Sequence, residues 1–229
     1  MFRNRFGSYS AGNEVEAIQI QTYNLPNKGI LKIVKGSVVD FASKKGAIVN
    51  SADEICLKGG GVCFAISNAG GPKLLADRKA LPELPGGIRC PKGQAKLTGP
   101  NRYGRLRVPY VIHSVGPNYK DYGDDDVDTP NGLLRSAYQS ALKCACDSEH
   151  TKRKPIQKVA FSLISAGRFK GNQTLEHVLG VGVQAIYDWC KDDQKENGNL
   201  EQIILYAYNT NEVNTLTKLC DSIFGQNGA

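Results

Sequence analysis

The stretch from residue 47 to residue 71 constrains the fold of this 229-residue chain more than any other part of it. It begins with the apolar run Ala47-Ile48-Val49, continues through a polar turn at 50–53 and reaches three successive glycines at 59–61. An apolar, helix-like run over 62–69 follows. Glycines let a backbone approach a ligand closely, and a helix start presents unpaired N–H groups. The pattern therefore predicts an anion-binding corner, unless the glycines merely connect a strand to a helix.

The rest of the chain alternates strand patterns with helix patterns. Alternating apolar and polar residues over 15–23 predict an edge strand with one buried face. Proline and glycine residues make 82–99 a predicted loop. Further strands are predicted at 30–34, 47–49, 108–115, 158–164 and 203–208, and helices at 62–69, 72–81, 133–146, 175–191 and 212–224.

This order of elements predicts an α/β fold. Some strands, such as 158–164, are almost entirely apolar, as expected for a sheet that is covered on both faces. We therefore expect a three-layer α/β/α sandwich with a mixed, mostly parallel central sheet. We predict a flexible N-terminal segment at 1–14. Because no linker divides the rest of the sequence, we predict a single domain at 15–229.

Charge and cysteine content bear on partners and compartment. The net charge of +7 favours phosphate-bearing partners, and the densest basic clusters are Lys44-Lys45 and Lys152-Arg153-Lys154. Because the other basic residues are scattered, a solvated basic surface is favoured and nucleic-acid binding is the alternative. Seven cysteines without a disulfide spacing predict an intracellular protein with reduced thiols. No membrane association, metal or cofactor is expected.

Three predicted loops occupy the position where ligands bind to such sheets, beyond the carboxyl ends of strands. They are 50–61, 165–171 and the pair Tyr208-Asn209. The first two are rich in glycine, which suits a diphosphate that is wrapped by backbone amides. Phe169 and Tyr208 add aromatic faces for a sugar and a base. Since the chain has neither a lysine-bearing phosphate loop nor G-x-G-x-x-G, we expect a nucleotide diphosphate other than a hydrolysed triphosphate or a Rossmann-bound dinucleotide.

Several motifs, in this order, resemble those of the macrodomain family, whose members bind ADP-ribose and its derivatives. The resemblance extends from about residue 30 to residue 224. Its strongest segments are 47–53, 57–62, 65–72, 110–117 and 162–169. The resemblance implies the same α/β/α fold and an ADP-ribose pocket built from the loops named above.

The resemblance also implies a place for individual residues at the ligand. At the adenine end, Ser37 replaces the family's usual aspartate and is followed by Val38. Tyr208, beside Asn209, falls where an aromatic residue stacks on adenine in the family. The first phosphate-binding loop corresponds to Gly59, Gly60, Gly61 and Val62. The second corresponds to Ser165, Ala166, Gly167, Arg168 and Phe169, with the phenyl ring against the distal ribose.

Departures from the family pattern bear on catalysis. Asp53 replaces an asparagine that orients the distal ribose, and Cys63 replaces an aspartate that is implicated in activating water in many hydrolytic members. We hypothesise that Asp53 takes over water activation, with Asn50 as a second candidate catalytic residue. The favoured alternative is that Asp53 only accepts hydrogen bonds from the ribose. Cys63 is expected to fill space beside that sugar.

These residues leave three functions open. In the first, the chain binds free or protein-attached ADP-ribose and hydrolyses its distal-ribose linkage, as a mono-ADP-ribosylhydrolase or an O-acetyl-ADP-ribose deacetylase. In the second, it is a non-catalytic reader of ADP-ribose or poly-ADP-ribose. A third function is removal of the 1″-phosphate from ADP-ribose 1″-phosphate. It ranks lower because the Asp53 carboxylate would repel that dianion. Whether the protein is an enzyme is not decided by the sequence.

Overall fold

The structure, a computed structural model, describes residues 17–123, 125–147, 155–192 and 198–225. Within them, the strands are β1 (Ile18–Asn24), β2 (Ile30–Lys35), β3 (Gly46–Ser51), β4 (Ala95–Thr98), β5 (Tyr110–Ser114), β6 (Lys158–Ser162) and β7 (Gln202–Ala207). The α-helices are α1 (Gly61–Lys79), α2 (Asp128–Cys146), α3 (Leu175–Lys191) and α4 (Thr210–Phe224). The segment 1–14, predicted to be flexible, lies outside the described residues.

All the strands named above join one sheet in the order β1-β2-β7-β6-β3-β5-β4. The five inner strands are mutually parallel, whereas β1 and β4 pair antiparallel at the two edges. In the centre, Val49 of β3 lies between Ile112 of β5 and Phe161 of β6. The prediction of a mixed, mostly parallel sheet is confirmed.

Helices cover both faces of the sheet. Successive strand residues point to opposite faces, so Val49 packs in the cluster formed by α2, α3 and α4, while Ile48 packs with α1. Both side chains are at most 1% exposed. This arrangement explains the continuous apolar strands, and it confirms the predicted three-layer α/β/α sandwich.

Two predictions of secondary structure need correction, and a third is confirmed. The edge strand β1 exists, but its predicted buried face does not, because only Tyr23 of its residues is buried and Ile18 is 55% exposed. The predicted loop at 82–99 contains β4, a four-residue strand whose short sequence carries too little periodicity to reveal it. The helices predicted at 62–69 and 72–81 are confirmed as the two parts of α1, which is broken at Gly71 (φ 64°) and ends at Lys79.

A close contact between α2 and α3 supports one of the loops at the carboxyl edge. The hydroxyl of Tyr138 accepts a hydrogen bond of 3.2 Å from the backbone N–H of Ile164, just before the loop at 165–171. Its ring stacks on Phe161, with centroids 5.4 Å apart. A Cβ at Gly182 would lie only 2.6 Å from the Tyr138 ring, so α3 needs glycine there. At Gly180 the nearest atom would be 3.6 Å away, an ordinary contact.

We therefore expect Gly182→Ala to destabilise the protein and Gly180→Ala not to do so. Gly182→Ala overpacks the buried contact with Tyr138 and should lower the free energy of unfolding by about 1–3 kcal/mol. Gly180→Ala should leave it unchanged or raise it by up to about 1 kcal/mol, because alanine favours the helix. Urea denaturation of both variants measures the difference. Equal changes in the two variants would contradict the role of Gly182.

Candidate functional site

A groove crosses the carboxyl edge of the sheet above the ends of β2, β7, β6 and β3. One part, here the β7 chamber, has a volume of about 470 Å³ and is lined by Gly36, Ser37, Val38, Gly61, Val62, Ala65, Ser162, Leu163, Ala166, Gly167, Tyr206, Tyr208 and Glu212. The other part, the β3 chamber, has a volume of about 410 Å³ and is lined by Ser51, Ala52, Asp53, Gly59, Gly60, Gly61, Val62, Cys63, Leu163, Ser165, Gly167, Arg168 and Phe169. Four lining residues are common to both chambers, so the groove is continuous.

The junction of the two chambers is formed by backbone. Helix α1 begins at Gly61 (φ 54°), and no side chain caps its start, so its first N–H groups point outward. A Cβ at Gly59 would lie 2.7 Å from the Cys63 sulfur, which explains the need for glycine at that position. Gly167 faces this helix start from the loop after β6. Amide donors and a helix dipole together favour an anion at the junction.

The β7 chamber combines aromatic and polar groups. Tyr208 is 78% exposed, which leaves its ring free to stack on a ligand. Its backbone N–H donates to Glu212 Oε2 at 2.6 Å, and this bond ties the loop after β7 to the first turn of α4. Ser37 Oγ accepts a 3.4 Å hydrogen bond from the N–H of Val39 and thereby caps a short 3-10 helix.

The β3 chamber contains a carboxylate and a thiol. Asp53 is half-buried, and its Oδ1 accepts a 2.9 Å hydrogen bond from the Cys56 N–H. Its Oδ2 has no hydrogen-bond partner among the described residues, so it is available to a ligand or to water. Cys63 is 3% exposed and fills the first turn of α1 beneath the chamber. Phe169 lines the same chamber from the loop after β6.

A buried polar layer lies under the β3 chamber. His113 Nδ1 is 3.3 Å from Asn50 Nδ2, and its Nε2 is 3.0 Å from Thr98 Oγ1. The Thr98 hydroxyl donates to the carbonyl of Val111 at 3.2 Å, so its oxygen accepts from Nε2–H and the Asn50 amide donates to Nδ1. Burial, aided by the Arg78 guanidinium, lowers the pKa of His113 well below its usual value. The imidazole is therefore neutral at physiological pH and has a structural role.

The model of the Macro domain family matches residues 49–175, more than half of the chain, and this span includes both glycine-bearing loops that meet at the junction. The chain belongs to the macro domain family. A macro domain-containing protein of Caldanaerobacter subterraneus is 34% identical over 161 residues, which are 70% of this chain and 81% of the relative. O-acetyl-ADP-ribose deacetylase 1 of Pantoea vagans is 32% identical over 189 residues, which are 82% of this chain and 97% of the relative.

Solved structures of macrodomains have the same fold. The Trypanosoma brucei macrodomain in complex with ADP-ribose aligns with a TM-score of 0.63 at 25% identity, over 82% of this chain and 68% of that one. The Oceanobacillus iheyensis macrodomain with ADP aligns with a TM-score of 0.70, over 92% of this chain and 97% of that one. Its 21% identity supports the fold alone.

Most of the residues predicted to contact a ligand line the groove of this macro domain, but two do not. Asn50 is fully buried below the β3 chamber, where its Nδ2 joins the His113 layer, so it is absent from the lining. Asn209 caps α4, its Oδ1 accepting the Glu212 N–H at 2.9 Å, and it is absent from the lining. Ser165 lines the β3 chamber while its hydroxyl donates inward to the carbonyl of Pro117 at 2.7 Å.

Several lining residues escaped the sequence-based prediction, and Glu212 is the one that carries charge. The others are Gly36, Ser51, Ala52, Ala65, Ser162, Leu163 and Tyr206. The pattern Asn209-x-x-Glu212 is a helix-capping signature that places a carboxylate at the start of α4. That signal was present in the sequence. The position of Glu212 in the same chamber as Ser37, however, depends on the pairing of β2 with β7.

A second cleft, of about 750 Å³, lies at the opposite, amino edge of the sheet. Its basic lining residues are Lys44, Lys45, Arg102 and Arg107, and no acidic residue of the described ranges lines it. Pro155 also lines the cleft, and the basic cluster 152–154, which precedes it in sequence, is outside the described residues. Among the described helices, none is long and apolar enough to cross a membrane.

Proposed function

We propose that this macro domain binds ADP-ribose or a derivative of it, free or attached to protein. Adenosine occupies the β7 chamber, the diphosphate crosses the backbone junction and the distal ribose occupies the β3 chamber. The observation that carries the proposal is the order of groups along one continuous groove: an exposed tyrosine, then two amide-rich loops, then a carboxylate. A nucleotide diphosphate sugar presents a base, two phosphates and a sugar in the same order.

The relatives support this proposal. One is named for an activity on O-acetyl-ADP-ribose, and the Trypanosoma brucei macrodomain was solved in complex with ADP-ribose. Charge also agrees, because the junction offers amides and a helix start to the phosphates. In the loop after β6, Arg168 adds a cation at the edge of the β3 chamber.

Binding of ADP-ribose is expected to be sensitive to Gly167→Val. A Cβ at Gly167 meets no protein atom of the described residues within 4 Å, so the valine side chain has room and narrows the junction where the proposed diphosphate lies. Calorimetric titration should show affinity lowered by about 10-fold or more, or about 1.4 kcal/mol. Gly132→Val, at another uncrowded glycine on α2, is the matched control and should bind as the wild type does. No heat with wild-type protein would refute the proposal.

Hydrolysis at the distal ribose is a second candidate function, favoured by the free Oδ2 of Asp53 in the β3 chamber. A carboxylate with one oxygen held by the Cys56 N–H and the other exposed to the chamber can accept a proton from water. The 1″-phosphatase activity is less favoured. Lys58, whose charge could offset repulsion between Asp53 and a phosphate, does not line the chamber.

If Asp53 acts as a general base, Asp53→Asn should reduce turnover by about 100-fold or more. The affinity for ADP-ribose should change little, because asparagine keeps the oxygen that accepts the Cys56 N–H. Release of mono-ADP-ribose from a modified protein and deacetylation of O-acetyl-ADP-ribose are both measured. Asp40→Asn, whose side chain lies outside the groove, is the control. Equal turnover by wild type and Asp53→Asn would leave Asp53 a ribose-binding residue only.

Polyanion binding at the amino-edge cleft is a further candidate function. The cleft brings Lys44 and Lys45 together with Arg102 and Arg107, which are distant in sequence. The lysines and Arg102 have no ion-pair partner among the described residues. No aromatic side chain of the described residues lines the cleft, so the contacts favour a phosphate backbone over stacked bases.

A single-stranded oligonucleotide should therefore bind with an affinity that falls steeply with salt. Four phosphate contacts correspond to a slope of roughly −3 in a plot of log K against log salt. The double variant Lys44→Glu/Lys45→Glu should abolish this binding while leaving ADP-ribose affinity unchanged. Lys143→Glu/Lys191→Glu, on helices away from the cleft, carries the same charge change. Equal losses in the two double variants would show that net charge, and not the cleft, accounts for binding.

A further inference from the structure

The base-binding end of the groove contains an unexpected carboxylate. Among the residues that line the β7 chamber, Glu212 alone carries a negative charge, in the part of the chain that the structure describes. Ser37, which stands where a base-recognising carboxylate was expected, directs its oxygen to the N–H of Val39 at 3.4 Å. Asp40, the other nearby carboxylate in sequence, does not line the chamber. Charge-assisted recognition of a base is therefore available from α4 and not from the loop after β2.

The Glu212 side chain is held in a defined position. Its Oε2 accepts the Tyr208 N–H at 2.6 Å, and its own N–H donates to Asn209 Oδ1 at 2.9 Å. The bond from Tyr208 fixes the carboxylate beside the residue whose exposed ring is available for stacking, whereas the bond to Asn209 caps the backbone of the same turn. Oε1 has no hydrogen-bond partner within the described ranges. A base stacked on Tyr208 would thus meet an oriented acceptor at its edge.

We propose that Glu212 determines base specificity by accepting a hydrogen bond, through Oε1, from the exocyclic amino group of a 6-aminopurine. The inference rests on the proposed function, because it takes the β7 chamber as the site of the base. An ionised carboxylate only accepts hydrogen bonds. Replacing the amino group by a carbonyl, as in hypoxanthine, places two acceptors opposite each other at position 6, which a partly enclosed site penalises.

A purely structural role for Glu212 predicts a different outcome. In that case the carboxylate only caps α4 and holds Tyr208, as in a capping box. Its loss would displace the stacking ring and weaken every base equally. The ratio of affinities for two bases, and not either affinity alone, distinguishes the two roles.

The experiment compares ADP-ribose with its hypoxanthine analogue by calorimetric titration. Wild-type protein should prefer ADP-ribose by about 10- to 100-fold, the factor expected for a hydrogen bond to a charged group. Glu212→Gln keeps an oxygen that can accept the Tyr208 N–H but turns a donor amide to the base, so the preference should be lost or reversed in favour of the hypoxanthine analogue. Asn209→Ala is the matched control, because it weakens the same helix start and keeps the carboxylate, and its preference should equal that of the wild type.

Each other outcome has a definite meaning. Wild-type binding of both ligands with equal affinity would overturn the role of Glu212 and leave the proposed function intact. A preference that Glu212→Gln retains, with both affinities lowered alike, would also overturn it and assign Glu212 to capping. If wild-type protein binds neither ligand, the proposed function fails, and the assignment of Glu212 fails with it.

Discussion

Parallel pairing of the five inner strands is the constraint on which the rest of this macro domain depends. It brings the carboxyl ends of β2, β7, β6 and β3 to one edge, so loops that are remote in sequence form one groove. The central strand β3 is hydrogen-bonded on both sides, by β5 and β6, and its first five residues are buried. The sheet therefore positions the amides of the adjoining loops. The middle of the groove is formed by this backbone, and its glycines keep side chains out of it.

The buried polar layer under the β3 chamber follows from the same arrangement. Asn50 and His113 are opposite each other in the register of β3 and β5, which places a strand-end amide within reach of a neutral imidazole. The contact between Asn50 Nδ2 and His113 Nδ1 favours this packing, because a change of register would leave both buried nitrogens without each other. This layer fixes the end of β3, from which Ser51 and Asp53 enter the groove. A residue that does not line the groove, such as Asn50, can thus determine where a carboxylate lies.

Features that depend on local pattern could be predicted from the sequence, and features that depend on strand order could not. The apolar run at 158–164 predicted β6, and the glycines at 59–61 predicted the uncapped start of α1. The burial of Asn50 and the approach of Glu212 to Ser37 require knowledge of which strands are neighbours. The exposure of β1 has a related cause. The alternation of apolar and polar residues shows which side chains of a strand could be buried, but they are buried only where another layer of the fold covers them.

The departures from the family pattern fall at the two ends of the groove and spare its middle. Ser37 lies in the β7 chamber and Asp53 and Cys63 lie in the β3 chamber, whereas Gly61 and Gly167 remain where the chambers meet. Binding of a diphosphate by backbone amides does not depend on those end residues. Under the proposed function, base choice and any reaction at the ribose do depend on them, because side chains supply the carboxylates and the hydroxyl groups at the two ends of the groove. Single substitutions at either end are then expected to change one of these properties and to leave phosphate binding at the junction unchanged.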